Sequence, residues 1–209
     1  MKQEVRTVTA ETAETVPAPS RRSRITPERE AELYGAVLDL LREVGYDALT
    51  MDAVAARTRS SKATLYRQWG NKAELVVKAL RHRQPAHLQG IDTGSLRGDF
   101  HEMVEMEDDC RLEEDGALMR GLSVAVHDNP DLHSAMREQL IDPEISGLDQ
   151  LLQRAVDRGE VRADNPALPY VIHMLIGAFV ARDLVDVKPV DRAFLRDYVD
   201  SVILPVLGV

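Results

Sequence analysis

The chain has 209 residues, 44% hydrophobic and 29% charged, as expected of a soluble protein that can bury a core. Its single cysteine, Cys110, excludes an intramolecular disulfide and leaves too few thiols for a cysteine-based zinc site. No signal-peptide pattern follows Met1, and the longest apolar run, residues 170–181, is too short to cross a bilayer. We therefore expect a cytoplasmic protein with no membrane partner.

The net charge of −9 is unevenly distributed along the chain. Residues 21–83 hold 13 Lys and Arg against 8 Asp and Glu, whereas residues 91–209 hold 11 against 24. A basic segment in an acidic chain predicts that the first part binds a polyanion. Chance segregation of surface charge is the alternative.

The N-terminal residues 1–25 are predicted to form a disordered tail with a basic end. Residues 1–20 are rich in Thr, Ala, Glu, Val and Pro and show no periodic apolar face. The bases Arg21, Arg22 and Arg24 then precede the first helix signal. They are either an arm that touches DNA or part of a solvated tail.

Residues 26–83 carry the signals of four helices. The first has apolar residues on one face and ends near Gly45; a two-turn helix, a short helix and a longer helix follow, with a break at Gly70. Ser60 is an alternative cap for the third helix. The predicted N-terminal caps are Thr26, Thr50, Ser61 and Asn71. A helix, a short helix, a tight turn and another short helix in this order predict a helix-turn-helix DNA-binding head.

Beyond residue 84 the chain is also helical, and no strand pattern is convincing. Asn129–Pro130 and Asp142–Pro143 each place a cap before a first-turn proline, so each is predicted to open a helix. The predicted helices cover 95–109, 114–128, two segments that begin at these prolines, and the apolar segments 166–186 and 189–206. We predict an all-α fold in which a three-helix head precedes a larger helical domain.

The segment "SKATLYRQW" (61–69) has the properties of a recognition helix. Leu65 and Trp69, spaced i, i+4, are predicted to pack inward. The remaining side chains are basic, hydroxylic or small, so they can reach phosphates or base edges.

Residues 49–76, "LTMDAVAARTRSSKATLYRQWGNKAELV", resemble the DNA-binding signature of the TetR (tetracycline-repressor-like) transcriptional regulators. Residues 157–168, "DRGEVRADNPAL", resemble the variable ligand-binding half of that family. In the turn before the recognition helix the family often has Gly and then an apolar residue, where this chain has Arg59 and Ser60. If Arg59 has a positive φ, the missing Gly costs about 1 kcal/mol.

The resemblance implies a homodimer that reads a palindromic double-stranded DNA operator through a head at 26–83. It also implies a ligand-binding and dimerisation domain at 84–209, with a four-helix interface built from the last two helices. Thr50, Tyr66 and Lys72 would contact phosphates; Thr50 could also be only a cap, Tyr66 a rim residue and Lys72 a solvated lysine. Base or groove contacts are implied for Lys62, Ala63 and Thr64, and a backbone contact for Gln68. The whole predicted DNA-binding set is Thr50, Arg59, Ser61, Lys62, Ala63, Thr64, Tyr66, Arg67, Gln68 and Lys72.

Candidate ligand residues in the acidic half are methionines, whose thioethers suit an adaptable apolar pocket, and two histidines. Plain core filling is the alternative for each methionine, and a surface or core position for each histidine. His101 and Glu105 lie at i, i+4 with Cys110 nearby, but acidic helix faces are usually solvated, so no metal site is predicted. The predicted ligand set is Met103, Met106, Met119, His127, His173 and Met174.

No phosphate-binding loop or nucleophile motif supports an enzyme, and no cofactor is predicted. The sequence favours a repressor that releases its operator when a small apolar molecule, neutral or cationic, binds. A DNA-binding activator or architectural protein without an effector is the alternative.

Overall fold

The computed structural model describes residues 25–83 and 90–209. The predicted tail up to residue 24, including the bases at 21–24, therefore lies outside the described residues. Over the described ranges the chain is helical and has no strand, which confirms the all-α prediction. The helices are α1 Pro27–Ala48, α2 Met51–Thr58, α3 Lys62–Trp69, α4 Lys72–Arg83, α5 Leu96–Glu105, α6 Asp109–Asp128, α7 Pro130–Met136, α8 Asp142–Asp157, α9 Val171–Asp186, α10 Arg192–Tyr198 and α11 Leu204–Leu207.

The predicted caps of the first four helices are present. In each, the side-chain oxygen accepts a hydrogen bond from the backbone N–H three residues later, as an N-cap does. The four bonds, at Thr26, Thr50, Ser61 and Asn71, measure 3.3, 3.1, 3.1 and 2.8 Å.

Several predicted helix boundaries are wrong. Helix α5 ends at Glu105 rather than at 109, and α6 begins at Asp109 rather than at 114. Gly45 has φ +75° and breaks the regular helix, but helical turns continue to Ala48. The pair Asp142–Pro143 does not open a separate helix, because a π-helical turn, Arg137–Ile141, joins α7 to α8.

The same arrangement joins α10 to α11, where the π turn Val199–Ile203 precedes Pro205. A proline inside a helix lacks one N–H and its ring clashes with the carbonyl four residues earlier. In both cases that earlier residue lies in the π turn, whose wider hydrogen-bonding register accommodates the ring.

Two main apolar cores hold the helices. The first contains Leu65 and Trp69 of α3 and continues from α1–α4 into α6 and α7. The Trp69 indole N–H donates to the Tyr34 hydroxyl at 3.0 Å, so the only tryptophan is a buried core residue. The second core joins α5, α8, α9 and the last two helices. Helices of the larger half thus complete the core of the first four helices.

Arg59 occupies the left-handed region, with φ +51° and ψ +37°, at the C-terminus of α2. Because a Cβ is unfavourable there, Arg59→Gly should raise the free energy of unfolding by about 1 kcal/mol. Arg59→Ala is the matched control, since it removes the same charge but keeps a Cβ. Urea unfolding should show the gain for glycine alone; equal midpoints for the two variants would contradict this account of the turn.

Candidate nucleic-acid interface and ligand cavity

Helix α3 presents one face to the core and the other to solvent. Leu65 and Trp69 are 0% and 3% exposed, as their spacing predicted. Thr64 and Lys72 are half-buried, and the other predicted DNA-binding residues are exposed: Thr50, Arg59, Ser61, Lys62, Ala63, Tyr66, Arg67 and Gln68. The head therefore displays the whole predicted set at or near its surface.

Several of these side chains have partners within the head. The Ser61 and Thr64 hydroxyls lie 2.9 Å apart. The Lys62 ammonium lies 2.5 Å from an oxygen of Asp52 on α2. Because the Lys62 pair is exposed, it contributes little to stability, so a polyanion can displace Asp52 at low cost.

Lys72 is not an ordinary solvated lysine. Its ammonium donates to the Tyr46 carbonyl at 2.8 Å and lies 4.1 Å from the centre of the Tyr46 ring. Desolvation by burial lowers the pKa of Lys72, although the nearby Asp47 charge opposes this. These contacts hold the charge at the N-terminus of α4, beside the end of the recognition helix.

Arg29 was not singled out from the sequence. Its guanidinium donates to the Thr58 carbonyl and pairs with Glu32 at 2.8 Å, which ties α1 to the end of α2. With Arg57 and Arg59 it lines a polar groove of about 330 Å³. No local pattern could reveal this, because the groove unites α1 with the end of α2.

The larger half contains a cavity of about 200 Å³ that is partly open to solvent. It lies among α5, α8, α9 and α10, and its walls are apolar except for Tyr198 and two carboxylates. The lining residues are Met103, Val104, Glu107, Glu144, Leu148, Ile172, Leu175, Ala178, Phe179, Leu195, Tyr198 and Val199.

Of the six predicted ligand residues, Met103 alone lines this cavity. Met119 and His127 are exposed on α6, and the His127 imidazole contacts the Ser123 carbonyl at 2.9 Å. His173 is exposed beside Tyr170. Met106 is half-buried after α5, and Met174 packs against the second core. The structure does not bring the predicted set together, since residue type does not specify which cavity a side chain faces.

Glu107 connects the cavity to the first half of the chain. Burial raises the pKa of Glu107; the Arg111 charge opposes this shift and those of Asp115 and Glu144 add to it. Arg111 in turn donates to the carbonyl of Arg83, the last residue of α4, at 3.1 Å.

Arg83 extends this connection to α1. It lies 3.1 Å from Asp115 and also pairs with Glu114, which is 3.3 Å from Arg42 of α1. Burial raises the pKa of Asp115 despite these bases. Charged residues that are far apart in the sequence therefore lie between the cavity wall, the end of α4 and α1.

Helix α9 exposes an apolar stripe formed by Ile176, Val180 and Leu184, which are 51%, 55% and 79% exposed. With the preceding 3₁₀ turn, the segment Leu168–Asp186 is long and apolar enough, by length and composition alone, to cross a membrane, and 11% of its most apolar window is buried. The helix ends at Asp186, as the predicted segment 166–186 does, but the prediction that the apolar run 170–181 is too short to cross a bilayer did not include the apolar residues beyond 181.

Among the described residues, no group of three or more His, Cys, Asp or Glu side chains is placed to hold a metal ion. His101 contacts Asp200 at 3.1 Å, Glu105 pairs with Arg196 at 3.1 Å, and Cys110 is exposed. The three residues that were weighed as metal ligands therefore have separate surroundings.

Two protein-family models match most of the described chain. The model of bacterial regulatory proteins of the tetR family matches residues 34–79, and that of the tetracyclin repressor-like C-terminal domain matches residues 91–202. The chain belongs to the TetR family of transcriptional regulators. The resemblance seen in residues 49–76 is confirmed.

Other TetR-family proteins match over most of their length. An HTH-type transcriptional regulator of Mycobacterium tuberculosis is 37% identical over 187 residues, covering 86% of this chain and 88% of that protein. The DNA-binding transcriptional repressor TetR of Mycobacteroides abscessus is 37% identical over 177 residues, covering 84% and 92%. These relatives are DNA-binding regulators rather than enzymes, as predicted for this chain.

Solved TetR-family structures share the fold. One crystal structure of a TetR family transcription regulator matches with a TM-score of 0.61 at 27% identity, covering 86% of this chain and 98% of that one. A Rhodococcus regulator assigned to the family gives a TM-score of 0.70 at 18% identity, covering 87% and 100%, which shows the fold alone.

Proposed function

We propose that this TetR-family regulator is a homodimeric repressor that binds a palindromic operator and releases it when a small apolar molecule enters the cavity. The observation that carries the proposal is the two-sided α3, which buries Leu65 and Trp69 and leaves Lys62, Tyr66 and Arg67 exposed. Such a helix can enter a major groove while its inner face stays fixed to the head.

The exposed stripe on α9 supports a dimer. A second copy offers the same stripe, so a two-fold interface would bury both. Gly177 lies beside the stripe, and a Cβ built there meets no atom within 4 Å, which leaves room for a close helix approach. A membrane explains the stripe less well, because Arg182 and Asp183 lie on the same helix and charges in lipid are costly.

The charges between cavity and head support a ligand response. Arg111 touches the last carbonyl of α4 and influences Glu107 in the cavity wall, so a ligand at Glu107 can act on α4. Moving α4 would change the separation of the two recognition helices, which must be roughly 34–36 Å for half-sites one turn apart. For release, the ligand must bind the DNA-incompetent state more tightly.

The proposal is tested by selecting binding sites from random double-stranded DNA with the purified protein. We expect a palindrome whose half-sites are separated by one helical turn, or a multiple of it. Gel-shift assays of the selected site, with and without a library of small apolar compounds, then test release. Selection of single, unpaired half-sites would contradict the dimeric operator, and DNA binding that no compound affects would contradict the ligand response.

The DNA contacts are tested by Lys72→Ala and Thr64→Ala. If Lys72 binds a phosphate, its loss should weaken binding to all sequences equally and flatten the salt dependence by about 1 per subunit. Thr64→Ala should instead change the selected sequence, because a groove contact carries base information. Lys188→Ala, which removes an exposed lysine after α9, is the control for net charge. An unchanged salt slope in Lys72→Ala would contradict the phosphate contact and leave Lys72 with a structural role, through its contacts with Tyr46.

A further inference from the structure

We propose that the cavity binds a small organic cation and that the Glu107 carboxylate is its counter-ion. This inference rests on the proposed function, in which the cavity is the effector site, and it specifies the charge of the effector.

Within the described parts of the chain, the cavity wall contains two carboxylates and no base. Glu107 lies just beyond α5 and Glu144 lies in the first turn of α8, and both line a space whose other walls are apolar or aromatic. The two carboxylates are close enough for the Glu144 charge to help raise the pKa of Glu107. A cation placed between apolar walls would relieve this repulsion.

Three described bases lie near the cavity and contact groups outside it. Arg111 is bound to the Arg83 carbonyl, and Arg196 lies 3.1 Å from Glu105. Arg182, which stacks on Phe194, lies 2.7 Å from Asp186. Since no base among the described residues lines the cavity, an anion would meet the Glu107 and Glu144 carboxylates there, and its desolvation would oppose binding.

A neutral apolar ligand is also disfavoured. Burial already raises the pKa of Glu107. A neutral ligand would remove further water from the carboxylate and would not supply a charge or a hydrogen bond to replace it. A cation offers a charge-assisted contact in the same place, and such contacts are roughly twice as strong as neutral hydrogen bonds.

The volume of the cavity and the aromatic side chains in its wall further restrict the class of ligand. A cavity of about 150 Å³ accepts a benzene ring, so the space of about 200 Å³ suits a ligand with one ring or a short alkyl group and one charged nitrogen. Phe179 and Tyr198 line it and can place ring faces against an ammonium group.

The test uses three probes of similar size: benzylammonium, whose N–H groups can donate to the Glu107 carboxylate, its uncharged carbon isostere ethylbenzene, and the anion phenylacetate. Binding to the full-length protein is measured by calorimetric titration or by thermal shift. We expect the cation to bind at least about 10-fold more tightly than the isostere and phenylacetate not to bind, since a charge-assisted contact contributes that much.

The substitution Glu107→Gln distinguishes a role of Glu107 as counter-ion from a contribution of its side chain to packing. It should lower affinity for the cation about 10-fold or more and should not lower affinity for the isostere, because a neutral amide costs less to desolvate than a carboxylate. Glu113→Gln, the same change at an exposed position on α6, is the control and should leave both affinities as in the wild type.

Equal affinity for the cation and the isostere would overturn the inference, as would cation binding that Glu107→Gln leaves unchanged or no cation binding at millimolar concentration. If the isostere binds as well as the cation and releases the operator, the proposed function stands while the charge assignment fails. If the cation binds through Glu107 but operator affinity is unchanged, the assignment stands while the ligand response fails.

Discussion

Replacing Ile176 with Asp is expected to convert the proposed dimer into monomers. Ile176 is half-exposed in the single chain and begins the apolar stripe on α9, so a two-fold interface would bring both copies of the new carboxylate into one apolar contact. Burying unpaired like charges costs several kcal/mol, so the dissociation constant should rise at least about 100-fold. Sedimentation at micromolar concentration should change from about twice the 23.3 kDa chain mass to that of one chain.

Operator affinity should fall together with assembly, because one head alone makes too few contacts for tight binding. Val124→Asp is the matched control: Val124 is 72% exposed on α6, so the same substitution introduces the same charge outside the proposed interface. Dimers in both variants, or a monomeric Ile176→Asp that binds the operator as tightly as the wild type, would contradict the proposed assembly.

Asp99→Ala is expected to reduce the free energy of unfolding by about 3 kcal/mol. Asp99 is 0% exposed and accepts from the Thr93 N–H at 2.7 Å, from the Thr93 hydroxyl at 2.8 Å and from Arg158 at 3.3 Å. Without it, the Thr93 N–H and hydroxyl lose their shared charged acceptor and Arg158 loses one of its carboxylates, and a hydrogen bond to a charged group contributes about 1.5–3 kcal/mol. The network also holds the start of α5, since Glu160, which pairs with Arg158, accepts from the Leu96 N–H at 2.6 Å.

Urea unfolding at a fixed protein concentration measures this change, because a dimer's stability depends on concentration. Asp92→Ala is the control, since Asp92 lies 3.5 Å from the same Arg158 but its side chain is 58% exposed, and it should cost under about 1 kcal/mol. Asp99→Asn should fall between the two, because it keeps an acceptor oxygen but loses the charge. Equal urea midpoints for Asp99→Ala and Asp92→Ala would contradict this prediction, because the buried carboxylate would then contribute no more to stability than the exposed one.

Local patterns in the sequence were sufficient to place the N-termini of the first four helices. Thr50, Ser61 and Asn71 cap neighbouring backbone N–H groups within three residues, so no distant contact is needed to place them. The i, i+4 spacing of Leu65 and Trp69 likewise fixed which face of α3 is buried. The family signature was recognisable for the same reason, since it lies within one continuous stretch.

The lining of the cavity, the course of the helix at Pro143 and the long-range polar contacts depended on the tertiary structure. The cavity draws its walls from α5, α8, α9 and α10, so methionine content could not identify its lining, and Met103 reaches it while Met119 and His127 lie exposed on α6. From local sequence alone, a proline indicates the start of a helix. Pro143 nevertheless lies within a continuous helix, because the π turn before it leaves space for the proline ring. Packing over long sequence separations also placed Arg111 against the end of α4 and enclosed Asp99, because contacts of this kind are selected by the arrangement of whole helices rather than by neighbouring residues.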